Sequence, residues 1–327
     1  MTDGLPHCRA AALQDAQVGR RWLIEELWAE QGVGIVGGAP KCCKSWMGLD
    51  MVVSVASGTP CLGRYEVSTP GTALCFLAED DAATVKSRLH SIAASRALDL
   101  APLPIEVITA ASLRLDSPRD QQLLDQTVRE VSPRLLLLDP FVRIHRIDEN
   151  DAGQVSGVLA YLRQLQRQHH VAVVVVHHAR KNGSVASSGQ ALRGSGDFHA
   201  WVDSALYLRR VRDGLTMSVE HRAAAAPTPI PLRLIAGDTP HLEITDPEQT
   251  PDEPAPDHLA DNVLAALNHA PTPLSRSALR AALHVRNERL GDTLTNLANS
   301  GLISRVGDAW TPVPVPLPQC MPGNGTT

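Results

Sequence analysis

The apolar stretch Val33-Gly34-Ile35-Val36 runs into Gly38-Ala39-Pro40-Lys41-Cys42-Cys43-Lys44-Ser45, and a helical pattern, Trp46 to Val53, follows at once. Strand, loop and helix in that order, with Lys-Ser opening the helix, is the layout of a P-loop. Backbone N–H groups and a helix N-terminus wrap phosphates there, and a lysine ammonium neutralises them. The serine hydroxyl is placed to ligate Mg²⁺. One position departs from the usual G-x-x-x-x-G-K-[ST] spacing, because Cys43 stands where glycine is expected. If that position needs a positive φ, its Cβ costs on the order of 1 kcal/mol, too little to abolish phosphate binding. An oxidised Cys43 would clash with phosphates, which leaves a redox role conceivable.

Beyond this unit the chain keeps alternating. Strand candidates are 33–37, 72–78, 104–108, 134–139 and 171–177, and helical stretches lie at 44–57, 82–96, 118–131 and 152–169. That alternation predicts an α/β fold around a mostly parallel sheet. Tyr207-Leu208, Thr216–Arg222 and Ile230–Ile235 read as an antiparallel extension, and Trp22–Trp28 as a short amphipathic segment before the first strand. The length of 327 residues suits one large α/β domain plus a small one. We expect a lead-in over 1–21, an ATPase domain over 22–245 and an acidic, Pro-rich linker over 246–257. A winged-helix-like module over 258–311 and a disordered tail over 312–327 complete the expectation. The formal net charge of −5 means that any nucleic-acid contact needs a local basic surface. Six cysteines without metal-ligand spacing fit reduced thiols in the cytoplasm. Neither a signal-peptide core nor a membrane-spanning apolar run is evident.

The strand ends carry the chemistry. Phe76-Leu77-Ala78-Glu79-Asp80-Asp81 closes the second strand, in the crevice where open α/β sheets bind ligands. Glu79 there suits a carboxylate that orients and deprotonates an attacking water, whereas Asp80 or Asp81 suits a helix N-cap. Leu135-Leu136-Leu137-Leu138-Asp139-Pro140 is a doubly buried strand ending in a Walker B candidate, with an Asp-Pro turn as the alternative. The fifth strand ends in His177-His178, able to sense a γ-phosphate unless a histidine is simply packed in the core. The loop from Ala179 to Asp197 follows. Its Arg180 and Lys181 suit phosphate-backbone contact or plain solvation, and Arg193 could reach a neighbouring subunit's nucleotide as an arginine finger.

In this order, GGAPKCCKSW, LAEDD, LLLLDP, VVVVHHARK and ALRGSGDFHAWVDSALYL resemble the RecA-like ATPases, specifically the hexameric RepA-type helicases of broad-host-range plasmids, within the wider group called AAA-family ATPases. The resemblance covers roughly residues 22–235 and implies an ATP- and Mg²⁺-dependent ring acting on single-stranded DNA. It implies nucleotide contact along Gly38-Ala39-Pro40-Lys41-Cys42-Cys43-Lys44-Ser45-Trp46, with Walker A roles for Lys44 and Ser45. Glu79 takes the role of base, Asp139 that of the Walker B aspartate and His178 that of γ-phosphate sensor, with His177 beside it. Arg193 takes the role of intersubunit finger. Glu149-Asn150 matches an acidic-Asn segment near the active site or inner channel. The plasmid helicases have Gly at the Cys43 position, and the resemblance does not extend to the 258–311 module.

That module reads as three helical patterns, Leu259–Leu267, Ser277–Leu283 and Val285–Ser300, then a hairpin over 302–310, the composition of a winged helix-turn-helix. Its third helix offers Arg286, Asn287, Arg289, Thr293 and Asn296, opposed by Glu288 and Asp292. Contact with duplex DNA or with a protein both fit. A second class of function therefore stays open, a DNA-binding regulator switched by nucleotide.

Overall fold

The structure is a computed structural model, and the residues it describes are 7–12, 22–178, 195–211, 214–245, 259–270, 272–283 and 287–313. The chain divides into two units, Met1–Pro247 and Glu248–Thr327.

In the first unit, β1 (Trp22–Ile24) and β2 (Trp28–Ala29) form an antiparallel ribbon where the sequence suggested only an amphipathic approach. Then come β3 (Val33–Gly38), α1 (Lys44–Ser57), β4 (Ala73–Leu77), α2 (Ala82–Ser95), β5 (Ile105–Val107), α3 (Pro118–Val131), β6 (Leu135–Asp139), α4 (Ala152–His169) and β7 (Ala172–His178). The bounds follow local chemistry. Ser117 caps α3 with Pro118 behind it, and Asp151 caps α4 by accepting from the N–H groups of Gly153 and Gln154. Gly58, left-handed, ends α1.

A short helix, α5 (Ser195–Trp201), begins inside the stretch assigned from sequence to a loop, so Ser195, Gly196 and Asp197 are helical. The remainder of that predicted loop, 179–194, lies outside the described residues. Strands β8 (Ser204–Val211), β9 (Gly214–His221), β10 (Ile230–Ile235) and β11 (His241–Ile244) close the unit. The sheet order is β11-β10-β9-β8-β3-β7-β6-β4-β5, parallel from β8 to β5 and antiparallel from β8 to β11.

Two apolar layers sandwich this sheet. Val174 and Val176 of β7 point into the α1 layer, and Val173 and Val175 into the α4 layer. The alternation matters, because it sends the next two side chains of the strand, His177 and His178, to opposite faces. Helix α1 is buried nearly all round. Its Asp50 is tied to Arg96 at 2.7 Å and accepts from the Leu62 N–H at 2.9 Å, which locks the turn after α1 to α2.

The second unit holds α6 (Leu259–His269), β12 (Leu274–Ser275), α7 (Arg276–Leu283), α8 (Asn287–Asn299), β13 (Ile303–Val306) and β14 (Ala309–Pro312), with an antiparallel sheet in the order β12-β14-β13. It has its own core, built from Leu259, Val263, Leu267, Leu279, Leu290, Leu294, Leu297 and Ile303. Among the described residues, no helix is long and apolar enough to cross a membrane.

Candidate nucleotide-binding cleft

Strand β3 lies between β7 and β8, so its C-terminal end opens at the centre of the sheet. Gly38 pairs with His178 on one side and Leu208 on the other. Its φ of +152° and the Leu208 carbonyl, 2.3 Å from where a Cβ would stand, leave glycine as the fitting residue. The chain then turns through Lys41 (φ 64°) and Cys43 (φ 57°), both left-handed, and Lys44 begins α1. Backbone alternation of this kind points successive N–H groups into one hollow. The Lys44 ammonium is buried and bonds the Ala39 carbonyl at 2.8 Å. From β8, Arg210 donates to the Lys41 carbonyl at 2.9 Å and so braces the turn.

A cleft of about 250 Å³ opens over this loop, lined by Lys41 to Trp46 together with Glu79, Arg88, Asp139, Val176 and His178. The sheet order brings these together. Strands β7, β6 and β4 succeed β3 in space, so the residues at their C-terminal ends form one row. Asp139 is 5% exposed, and one of its carboxylate oxygens has no hydrogen-bond partner among the described residues. Burial pushes its carboxyl up to about 6, opposed by a hydrogen bond from Ser45 and by the Lys44 charge, and reinforced by Asp80 and Glu79. Burial pushes the Lys44 ammonium down, against the pull of Asp139 and Glu79.

The three acidic residues after β4 separate cleanly. Asp81 caps α2, accepting from the Thr84 N–H at 2.6 Å, and Asp80 pairs with Arg88 at 2.5 Å. Glu79 alone of the three reaches the cleft wall. There its carboxylate accepts from Arg143 at 2.7 Å, with both groups well exposed. Arg88 arrives from α2, its guanidinium 5.6 Å from the Trp46 ring centroid, and adds a cation to the cleft that sequence reasoning missed. The only hint was its position one turn beyond buried Val85 on the inward face of α2.

The two histidines divide as the strand alternation dictates. His178 lines the cleft, and burial and the nearby Lys44 charge push its pKa down, so it is predominantly neutral near pH 7. His177 lies on the other face, 1% exposed, against Phe198 at 4.5 Å between ring centroids. Burial lowers its pKa to about 4. Glu149 sits between His145 at 3.5 Å and His177 at 3.8 Å, which ties the expected acidic-Asn segment to the layer beneath the sheet. Arg180, Lys181 and Arg193 lie outside the described residues. Among the described residues, no group of His, Cys, Asp and Glu side chains could hold a metal by itself.

Cys43 takes the conformation that its glycine-like position demands. Burial pushes its thiol up, although Arg210 opposes the shift, so the thiolate that oxidants attack is disfavoured. The φ of 57° sets a stability prediction. Cys43→Gly should hold or raise the unfolding midpoint, whereas Cys43→Val, β-branched in the left-handed region, should cost about 1–2 kcal/mol. Equal midpoints for the two variants would count against strain at this residue.

A mostly parallel sheet, flanked by helices and carrying a strand–loop–helix turn at its centre, is the RecA-like α/β class. Within it, the chain belongs to the AAA domain family, whose model matches residues 4–184. Among solved structures it is similar to a DnaB-like replicative helicase, described together with its interactions with primase, at 14% identity and a TM-score of 0.52. The match covers 66% of this chain and 58% of that one. At that identity the likeness concerns the fold.

Proposed function

We propose that this protein is an ATP-hydrolysing motor that forms a ring and acts on single-stranded DNA. The observation that carries the reading is the convergence of Lys44, Ser45, Glu79, Asp139 and His178 on one cleft at the C-terminal edge of a parallel sheet. Family membership and the replicative-helicase fold support it. In the proposed division of labour, the loop from Gly38 to Trp46 cradles the phosphates and the Lys44 ammonium neutralises them. His178, neutral and able to donate, contacts the terminal phosphate, and Glu79 orients the attacking water and takes its proton.

The donor set fits Mg²⁺. Ser45 and the buried Asp139, with an oxygen that lacks a hydrogen-bond partner among the described residues, are hard oxygen ligands at the end of the Walker B strand. Bound there, the ion supplies charge neutralisation of the phosphates. Arg193 of a neighbouring copy would complete the site in trans, and Arg180 and Lys181 would contact the strand's phosphates. The second unit, with its separate core, three helices and small sheet, supports a winged-helix module. That unit also favours a second reading, a nucleotide-switched regulator bound to duplex DNA.

The deciding measurement is ATP turnover with and without single-stranded DNA, beside Arg193→Ala. Stimulation by the strand is expected. Arg193→Ala should bind nucleotide almost as the parent does and lose turnover by roughly 10³-fold or more. Turnover indifferent to the strand, with salt-dependent binding of duplex DNA, would replace the motor by the switch. Loss of nucleotide binding together with turnover in Arg193→Ala would argue against a finger acting in trans.

A further inference from the structure

Glu79 is a wall shared by two cavities. One is the P-loop cleft, and the other is a polar hollow of about 380 Å³ lined by Phe76, Ala78, Glu79, Ala111, Ser112, Arg114 and Arg143. Two arginines and one carboxylate line this second hollow, while the nearby Asp116 and Asp120 carboxylates are engaged with backbone N–H groups. Arg143 spends its Nε–H on Glu79. Arg114 donates one Nη1–H to the Arg143 carbonyl, and its Nε–H is buried with no acceptor among the described residues. A buried donor left without an acceptor is costly, and an oxyanion would supply one.

The backbone that carries the two arginines is held in place. Arg114 stands between buried Leu113 and Leu115, and the Leu115 N–H bonds the Ile144 carbonyl at 2.6 Å. The Arg146 N–H bonds the Asp116 carboxylate at 3.1 Å, and the Arg114 N–H bonds that of Asp120 at 2.7 Å. These links clamp the strand-following segments 113–116 and 143–146 side by side. Little backbone ordering is left for an incoming anion to impose.

We propose that Arg114 and Arg143 form an oxyanion site for a phosphate group, separate from the P-loop, whose occupant competes with Glu79 for Arg143. Two sources share this chemistry, a backbone phosphate of a bound strand and free inorganic phosphate. An occupant draws Arg143 off the Glu79 carboxylate and leaves that carboxylate facing the P-loop cleft. The effect on hydrolysis rests on the role proposed above for Glu79, whereas the binding does not.

The test is thermal unfolding of the full chain carrying Lys44→Ala, which weakens the P-loop's own hold on anions. Inorganic phosphate is titrated at constant ionic strength in one arm, and a short thymidine oligonucleotide in the other. Saturable stabilisation is expected. Arg114→Gln should raise the half-saturating concentration roughly tenfold and Arg114→Lys should restore part of it, as expected for loss of a charge-assisted contact. Glu79→Gln removes the competitor and should lower that concentration about threefold or more. Opposite signs for Arg114→Gln and Glu79→Gln distinguish a site from general damage to the fold. Dependence on Arg114 in the phosphate arm assigns a free anion, and dependence only in the oligonucleotide arm assigns a strand phosphate. Arg114→Gln curves that superpose on the parent in both arms, or shifts of the same sign in Arg114→Gln and Glu79→Gln, overturn the proposal. None of these outcomes depends on turnover, so a protein that fails to hydrolyse ATP would refute the motor and leave this site to be judged by itself.

Discussion

Asn at position 139 is expected to lower ATP turnover by about 10²-fold or more while making the ligand-free protein more stable. The amide keeps the size of the carboxylate and loses the charge that would hold a divalent cation. The stability gain follows from burial. Asp139 sits 5% exposed and its carboxyl is pushed up to about 6 from 3.8. For a carboxyl whose folded pKa is raised, the native state resists ionisation that the unfolded chain undergoes freely. The penalty is absent below pH 4, grows between the two pKa values and is complete above pH 6. At pH 8, Asp139→Asn should therefore gain about 1–3 kcal/mol in denaturant unfolding, shrinking by roughly half near pH 5. A variant that loses turnover and also unfolds more easily at pH 8 would mean that Asp139 stabilises the fold and is not held ready for a cation.

Alanine at Gly34 is expected to disrupt the whole first unit. Gly34 pairs with Ser204 across the β3–β8 ladder, and an added Cβ would stand 1.8 Å from the Ser204 carbonyl oxygen and 2.9 Å from the Trp28 ring. The obstacle is backbone, so no rotamer change relieves it, and the two central strands must part. The cost should reach about 3 kcal/mol or more, seen as a large fall in the unfolding midpoint and in soluble yield. Gly157, on the exposed face of α4 with nothing within 4 Å of its Cβ position, is the control. Alanine there should stabilise by about 0.5–1 kcal/mol through helix propensity. Similar midpoints for the two variants would show that the β3–β8 contact is looser than described.

Much of the fold was legible because the apolar strands are unbroken. Leu135–Leu138 and Val171–Val176 leave no room for another assignment, and the helices between them begin at recognisable caps such as Ser117-Pro118 and Asp151. Strand β11, His241-Leu242-Glu243-Ile244, was missed because only Leu242 is buried and the alternation is too short to read. Helix α5 was missed because glycine and serine open it, and its anchor, Phe198 against His177, is a long-range contact. The candidate site divides in the same way. Lys44, Glu79, Asp139 and His178 follow strands whose spatial order the parallel fold dictates, so their meeting could be anticipated. Arg88 reaches the cleft from a helix face, Arg210 braces its loop from a later strand, Arg143 meets Glu79 from a 3-10 turn after β6 and Arg114 lines the neighbouring hollow, and nothing in local sequence announces which arginine turns inward. Cys43 was legible as a departure, and its left-handed φ shows that the loop keeps its shape without the glycine.

The sheet's two borders have a bearing on how copies of the chain can meet. Its outermost strands are β5, with three residues, and β11, with four, the latter carrying Glu243. So short a ladder offers a second copy few free N–H and C=O groups, and the glutamate further discourages pairing. At the described borders of this nine-stranded sheet, continuous growth from copy to copy is therefore disfavoured. Contacts between copies made through helix and loop surfaces could be formed and broken without unzipping a ladder.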